Sequence, residues 1–313
     1  MLLGWTLGQA QNRNVIVTKA TATWCPNCGT WAWDYKDALL AEFPSGPMTF
    51  IAAHFRNSDL ENEASLWFAR NINAAGQPTF YINNDWNTVG SGSWNSQLSN
   101  VRQEILDKAQ GEATVSFDGV AIDGETVSCT VGTNYTAEPG TEYTIAVYVY
   151  EDNVDYFQSG RPNAIHPNIL RTSLGAPQGV PYDPATGSYD FQDVIDPAWN
   201  KDELGLLAVL YRIDGADYVI EESTSVSNFA SKTSNEDLLD ANTFGYTDRD
   251  AELIITADEQ QYALTLTDMR GRVVVDTDFR NEISIQKILT PPGMYIATFR
   301  TNKGFYSQQI FIK

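Results

Sequence analysis

Two thiols lie one helical turn apart near the start of the chain, in the segment Trp24-Cys25-Pro26-Asn27-Cys28. The run before them is rich in β-branched residues and predicts a strand. In a thiol–disulfide site of this layout, the first cysteine lies at the start of the helix that follows the strand. Unpaired N–H groups and the helix dipole favour a thiolate there and lower its pKa. A thiolate attacks a disulfide, and a second cysteine one turn away can resolve the mixed disulfide. The spacing therefore predicts thiol–disulfide chemistry, with Cys25 and Cys28 as the catalytic pair.

The same C-x-x-C spacing also occurs in zinc sites and in structural disulfides. A closed zinc site needs four ligands, and the remaining candidates are Cys129, His54 and His166, none at a usual spacing from the pair. No metal and no cofactor are therefore expected. A disulfide that only staples the start of the helix stays open as an alternative.

The segments around the pair must position it. The apolar spacing of 29–43 indicates an amphipathic helix, and a buried strand, a second helix, two short strands and a last helix are predicted after it. Pro78 stands at the start of the first short strand, where its missing N–H is not needed. The predicted elements are strand 15–23, helix 29–43, strand 48–55, helix 59–75, strand 77–82, strand 88–90 and helix 94–110.

Residues 12–112 resemble the thioredoxin fold, through the Cys25–Cys28 motif and the downstream Gln77-Pro78-Thr79. The resemblance implies an α/β domain in which Pro78 is a cis proline beside the cysteines. It also implies that Trp24 shields the pair and that the proline loop pairs with the backbone of a client peptide. The substrate-binding residues so implied are Trp24, Pro26, Asn27, Gln77, Pro78 and Thr79.

The chain departs from this pattern at Lys19, where thioredoxins commonly carry an acidic residue six positions before the first cysteine. A lysine there could hold Cys25 or Cys28 as a thiolate by direct charge attraction and make the pair more oxidising. Lys19 could equally point to solvent from the other face of the strand. The departure leaves the direction of electron flow open.

Charge and hydropathy exclude some classes of protein. The 313 residues carry a formal charge of −20, and residues 113–230 hold 18 Asp and Glu against four Lys and Arg. Because phosphate binding needs a basic surface, nucleic acid is not an expected partner. No apolar run has the length of a membrane-spanning helix. The first residues, 1–11, resemble the end of a secretory signal peptide.

Alternating strands between turns predict a separate β-sandwich at 113–230, with a long loop at 156–196 and Cys129 as a buried free thiol. A histidine in that loop, His166, is expected to bond a backbone carbonyl. Together with the cysteine motif, this region resembles the 28-kilodalton outer-membrane-protein family of Bacteroidota. The segments that carry this resemblance are Tyr148-Val149-Tyr150-Glu151-Asp152 and His166-Pro167-Asn168-Ile169-Leu170-Arg171.

After a polar stretch, the chain ends in a small β-sandwich that resembles the C-terminal sorting domain of type IX secretion cargo. An Asp-x-x-Gly-Arg turn at 268–272, a Gly-x-Tyr strand at 293–295 and a lysine-ended apolar strand at 310–313 occur in that order. The resemblance implies export across the outer membrane by the type IX secretion machinery. The alternative is a plain accessory β domain.

The sequence thus predicts a multidomain protein, with an α/β thioredoxin-like fold followed by a β-sandwich and a small C-terminal β-sandwich. The expected function is that of a secreted or cell-surface thiol–disulfide oxidoreductase acting on protein or peptide thiols. A non-catalytic surface adhesin or ligand-binding protein with a structural disulfide is the alternative. The predicted segments are a signal-peptide remnant at 1–11, domains at 12–112 and 113–230, a linker at 231–250 and a sorting domain at 251–313.

Overall fold

The computed structural model describes residues 13–44, 46–229, 245–248, 252–268, 272–286, 292–301 and 304–312. The chain divides into two compact units, Met1–Thr233 and Ser234–Lys313. The division falls inside the predicted linker. The predicted signal-peptide remnant and most of that linker lie outside the described residues. The described part is rich in β-strands, with several sheets and few helices.

The first part of unit 1 follows the predicted element order. Its elements are β1 (Val15–Thr21), α1 (Pro26–Gly29), α2 (Trp31–Glu42), β2 (Met48–His54), α3 (Glu63–Asn71), β3 (Thr79–Ile82), β4 (Asp85–Asn87) and α4 (Trp94–Lys108).

Several boundaries differ from the predictions, including the end of α3 at Asn71 instead of residue 75, and three of the differences have a clear local reason. The predicted helix 29–43 is broken at Thr30, whose N–H donates to the Pro26 carbonyl and ends α1. Helix α3 begins at Glu63 rather than near residue 59, because Asn62 and Ser65 form a reciprocal capping box. The short strand predicted at 88–90 lies at Asp85–Asn87, after a turn in which Asn83 adopts a left-handed φ of 53°.

The second part of unit 1 contributes strands to three sheets, one of which is the two-stranded pair of β8 and β9. These strands are β5 (Val115–Asp123), β6 (Thr126–Thr133), β7 (Tyr143–Glu151), β8 (Val154–Asp155), β9 (Ile165–His166), β10 (Ile169–Ser173), β11 (Val180–Pro181), β12 (Ser188–Val194), β13 (Leu204–Asp214) and β14 (Asp217–Ser227). The segment predicted as one loop, 156–196, thus contains strands. Strand β12 gave no apolar signal because most of its side chains are exposed.

One large sheet crosses the predicted boundary at residue 112. Its strand order is β14-β13-β7-β10-β2-β1-β3-β4, with β11 paired to β7. Strands β1 and β2 are parallel and β1 and β3 antiparallel, while β10 joins β2 through Ile169 opposite Ala52. The regions predicted as two domains therefore share one sheet. The reason is that the edge of β2 is taken up by a later strand instead of being left unpaired.

Both faces of this sheet are covered. Alternate residues of β7 and β13 face opposite cores, as Tyr148 and Val209 lie in one apolar cluster and Val147 and Leu210 in another. Helix α3 packs on the first face. On the second face, α2 and α4 cover the β1–β3 end, and a three-stranded sheet of order β12-β6-β5 covers the β7–β13 end. The prediction that Cys129 is a buried free thiol is confirmed, since it lies in this last core.

Unit 2 is an antiparallel sheet of order β15-β16-β18-β19, with β17 paired to β16. Its strands are β15 (Gly245–Asp248), β16 (Glu252–Asp268), β17 (Val273–Gln286), β18 (Gly293–Thr301) and β19 (Gly304–Ile312). Strand β15 lies within the predicted linker. Strand β16 is 17 residues long, and its register with β17 shifts between Thr256 and Gln261.

Candidate thiol site

Cys25 caps the N-terminus of α1, directly after the turn that follows β1. It has an extended backbone, and its sulfur accepts the backbone N–H of Cys28 at 3.3 Å. Its S–H donates to the Gln77 carbonyl oxygen at 3.8 Å. Both Cys25 and Cys28 are free thiols, and Cys25 is 5% exposed while Cys28 is fully buried. The first cysteine is therefore the one nearer to solvent.

The proline loop borders the cysteines. The Gln77–Pro78 peptide bond is cis, as the resemblance implied, and Gln77 supplies the carbonyl that Cys25 faces. Thr79 begins β3, opposite Ala20 of β1, and its hydroxyl donates to the Gly76 carbonyl at 2.8 Å. The structure thus brings Cys25 and the proline loop together, while the Thr79 side chain serves the loop itself.

Trp24 forms an exposed rim beside the pair. Its side chain is 48% exposed, and its Nε1–H donates to the Arg56 carbonyl at 3.1 Å. The Arg56 guanidinium in turn donates to the Ala75 carbonyl at 2.6 Å, close to the proline loop. Pro26 and Asn27 are exposed on the first turn of α1. Arg56 therefore connects the loop after β2 with both walls of the site.

The two thiols differ in pKa. The Cys28 S–H, which donates a hydrogen bond to the Cys25 sulfur, lowers the pKa of Cys25 to about 7, helped by the backbone N–H groups of Cys28 and Asn27 and by the charge of Lys19. The same hydrogen bond and burial raise the pKa of Cys28 far above its usual range. Near neutral pH, Cys25 is consequently the thiol that ionises.

Lys19 points into the protein. It is 3% exposed, and its Nζ donates to the Cys28 carbonyl at 2.9 Å. The interpretation that places it in solvent is therefore wrong. Burial lowers the pKa of Lys19 to about 8, so the ammonium is still mostly protonated at pH 7. A positive charge thus lies behind the cysteine pair.

An aromatic and histidine cluster packs around Lys19. Its Nζ lies 5.1 Å from the centre of the Trp33 ring, which also contacts His166 edge-on at 5.1 Å. His54 lies 5.6 Å from His166. Burial lowers the pKa of His166 to about 4 and that of His54 well below its usual value, so both rings are neutral at pH 7. Neither histidine competes with Lys19 as a charge.

His166 bonds a backbone carbonyl, as expected: its Nε2 lies 3.2 Å from the Tyr156 oxygen. The described residues contain no cluster of three His, Cys, Asp or Glu side chains suited to a metal. Nor does any helix in that part of the chain combine the length and apolarity needed to cross a membrane.

Sequence reasoning missed one part of the site, the segment 156–164 between β8 and β9, which we call the arm. Its Gln158 side chain is 2% exposed and donates to the carbonyls of Ala22, Thr23 and Cys25 at 3.3, 3.1 and 2.9 Å. The long loop after Tyr156 was the available signal. Nothing in the sequence, however, indicates that this loop reaches a motif more than 130 residues earlier.

Comparison with known proteins shows the fold only. The chain is similar to HBP35 of Porphyromonas gingivalis, with a TM-score of 0.54 and 13% identity over 97% of this chain and 99% of that chain. A biofilm-associated protein BSP domain matches 70% of this chain and 55% of its own, at 8% identity and a TM-score of 0.20, which carries no argument about fold. No family model and no curated protein matches. The similarity to HBP35 therefore supports a shared fold and nothing about function.

Proposed function

We propose that the chain is a thiol–disulfide oxidoreductase with Cys25 as nucleophile and Cys28 as resolving thiol. The observation that carries the proposal is the Cys25 sulfur at a helix start, with a pKa of about 7, facing the carbonyl that precedes a cis proline. A thiol of this pKa is about half ionised at neutral pH, and exchange is fastest when the attacking thiol has a pKa near the ambient pH.

In the reducing direction, the Cys25 thiolate attacks one sulfur of a client disulfide. A Cys25–client disulfide forms, and the other client sulfur leaves as a thiolate. Cys28 then loses its proton to the departing thiolate and attacks the Cys25 sulfur. This step forms the Cys25–Cys28 disulfide and releases the second client sulfur as a thiolate, which takes a proton from solvent. Two electrons pass from the dithiol to the client, and the oxidising direction is the reverse.

We further propose that residues 12–112 are the thioredoxin-like part of this larger unit. In support, β1 lies between the parallel strand β2 and the antiparallel strand β3, and helices cover both faces. Trp24, Pro26, Asn27 and the 77–79 loop then line the surface that a client polypeptide approaches. The clients are protein or peptide thiols and disulfides.

The proposed place of action is the cell surface or the exterior, reached through the periplasm. This proposal rests on the sorting-domain motifs in 251–313, a segment that belongs to the separate compact unit 2. Deleting residues 251–313 should trap the protein in the periplasm of its host while the cysteine pair keeps its reactivity, because the two units are separately compact. If the truncated chain reaches the cell surface at the normal level, the proposal that the type IX secretion machinery exports this protein is contradicted.

One observation favours the alternative of a non-catalytic surface protein with a structural disulfide: Cys25 is only 5% exposed. The reduction potential of the pair separates the two functions. Structural disulfides typically lie below about −300 mV, whereas oxidoreductases lie between about −270 and −120 mV. We expect a value in the second range, together with reduction of a model disulfide that is lost in Cys25→Ser. A potential below the catalytic range, with no exchange above the Cys25→Ser background, would favour the surface-binding alternative.

A further inference from the structure

The arm contacts the cysteine turn through three carbonyl groups. The Gln158 Nε2 lies within hydrogen-bond distance of the Ala22, Thr23 and Cys25 carbonyls, and of Ser159 O at 3.2 Å. Carbonyl oxygens accept and do not donate, so the amide nitrogen must be the atom that faces them. The Gln158 Oε1 is buried and has no hydrogen-bond partner among the described residues. The side-chain oxygen thus makes no hydrogen bond among the described residues, while the side-chain nitrogen bonds the cysteine turn.

The backbone of the arm lies equally close to the turn. Ser159 donates its N–H to the Thr23 carbonyl at 2.8 Å. A Cβ on Gly29 would lie 2.1 Å from the Ser159 carbonyl oxygen, and a Cβ on Gly160 would lie 2.7 Å from the Pro26 carbonyl oxygen. Gly160 also has a φ of +83°, which a glycine adopts without strain. The two glycines let the arm and the cysteine turn approach at backbone contact.

The converging carbonyls affect the charge of the nucleophile. Their oxygens carry the negative ends of peptide dipoles, and one of them belongs to Cys25 itself. Negative dipole ends near a sulfur disfavour its thiolate, and each N–H donor that bonds such an oxygen reduces this effect. The Gln158 amide places N–H donors against these oxygens, and it also fixes the backbone from which the sulfur accepts the Cys28 N–H.

We propose that the arm is a third wall of the thiol site and that Gln158 is a positioning residue for Cys25, which keeps the nucleophile ionised and oriented. This inference deepens the proposed function and rests on it. The wall comes from the region predicted as a separate β-sandwich, so the reactive turn is completed by residues from both parts of unit 1.

The test compares Gln158→Met with wild type in the full-length reduced protein. Methionine keeps the length and volume of the side chain but removes the donors. The three carbonyls still accept the N–H groups of Cys25, Ser159 and Cys28, so the turn retains its backbone bonds. Loss of a hydrogen bond at this site should raise the pKa of Cys25 by about 0.5, which lowers the thiolate fraction about threefold at pH well below 7. The readout is the pH midpoint of iodoacetamide labelling at Cys25, followed by peptide mapping.

Two further variants keep the test decisive. Gly160→Ala pushes the arm away from Pro26 while keeping Gln158, and should shift the midpoint in the same direction, whether or not Gln158→Met folds. Arg161→Gln removes the exposed ion pairs of the arm with Asp34 and Asp37 and should leave the midpoint unchanged.

A wild-type midpoint in a folded Gln158→Met protein, or in Gly160→Ala if the former does not fold, would overturn the inference. An equal shift in Arg161→Gln would also overturn it, since that result would mean a general loosening of the arm. The proposed function is judged separately, by disulfide exchange of the wild-type protein. If the wild-type protein exchanges disulfides but the variants have an unshifted labelling midpoint, only the role of Gln158 is contradicted. If the midpoint shifts in the variants but the wild-type protein shows no exchange, only the oxidoreductase assignment is contradicted.

Discussion

Replacing Cys28 tests what ionises Cys25. The pKa of Cys25 falls from 9.0 to about 7, and the largest cause is the hydrogen bond from the Cys28 S–H. The whole decrease corresponds to about 2.7 kcal/mol in favour of the thiolate. Burial disfavours the thiolate, and four contributions favour it. The largest of the four therefore supplies at least about a quarter of the roughly 2.7 kcal/mol, or roughly 0.7 kcal/mol. Cys28→Ala removes this donor and should raise the pKa of Cys25 to between about 7.5 and 8.5.

Cys28→Ser is the matched control, because its hydroxyl keeps a donor in nearly the same place. Both variants keep the backbone N–H that donates to the Cys25 sulfur. We therefore expect the pKa of Cys25 in Cys28→Ser to lie below its value in Cys28→Ala, since a hydroxyl donor replaces the thiol donor. The comparison isolates the side-chain hydrogen bond.

The assay is the pH dependence of Cys25 alkylation. Rate at a single pH is a poor readout, because a thiolate of higher pKa is also intrinsically more nucleophilic, by about threefold per pKa unit. The midpoint of the profile is free of that compensation. Equal midpoints in Cys28→Ala and Cys28→Ser would refute the reasoning and leave the backbone N–H groups and Lys19 as the causes of ionisation.

Three other measurements follow from the site. In the wild-type protein, brief alkylation at pH 7 should label Cys25 well before Cys28 or Cys129. Burial raises the pKa of Cys129 to about 12, and the pKa of Cys28 is raised even further. Equal labelling of Cys25 and Cys28 would contradict the assignment of Cys25 as the nucleophile. Lys19→Met should raise the labelling midpoint of Cys25, because it removes a positive charge near the thiolate. Burial lowers the pKa of Lys19 from 10.5 to about 8, so its protonated form is costly in the folded protein below pH 8, and the variant should have a free energy of unfolding higher by about 1 to 3 kcal/mol at pH 7. A less stable variant in urea unfolding would contradict this. His166 has a pKa of about 4 in the folded protein against 6.5 in the unfolded chain, so the unfolded state binds more protons between these values. The free energy of unfolding should therefore fall by up to about 3 kcal/mol as pH drops from 6.5 to 4. His166→Gln should make this dependence on pH weaker, and an unchanged dependence would rule out His166 as its source.

The local geometry of the cysteine turn was predictable because it depends on residues close in sequence. A cysteine at a helix start and a proline before a strand each have a local physical reason, and the spacing of Cys25 and Cys28 fixes their contact within one turn. The same locality explains the element order from β1 to α4. Boundary errors arose where a capping side chain such as Asn62, or a broken turn at Thr30, ends an element without changing the apolar period.

The orientation of Lys19 and the arm were not predictable in this way. Strand β1 is buried at every position, so alternation does not tell which face meets the cysteines. Gln158 is a polar residue in a loop, and its partners lie more than 130 residues away. Its contact depends on β8 and β9, a two-residue pairing that leaves no periodic signal.

The shared sheet gives the arm its position. Strand β10 follows β9 after only two residues and pairs on one side with β2, through Ile169 opposite Ala52, and on the other with β7. Asn168 donates its side-chain N–H to the Phe50 carbonyl at 2.9 Å, which fixes the chain at the point where it enters the sheet beside β2. Because β1 lies on the other side of β2 and leads directly into the cysteine turn, the arm is anchored two strands from the turn that it contacts. The pairing of β10 with β2 therefore joins the later strands to the sheet and also holds Gln158 against the backbone of Cys25.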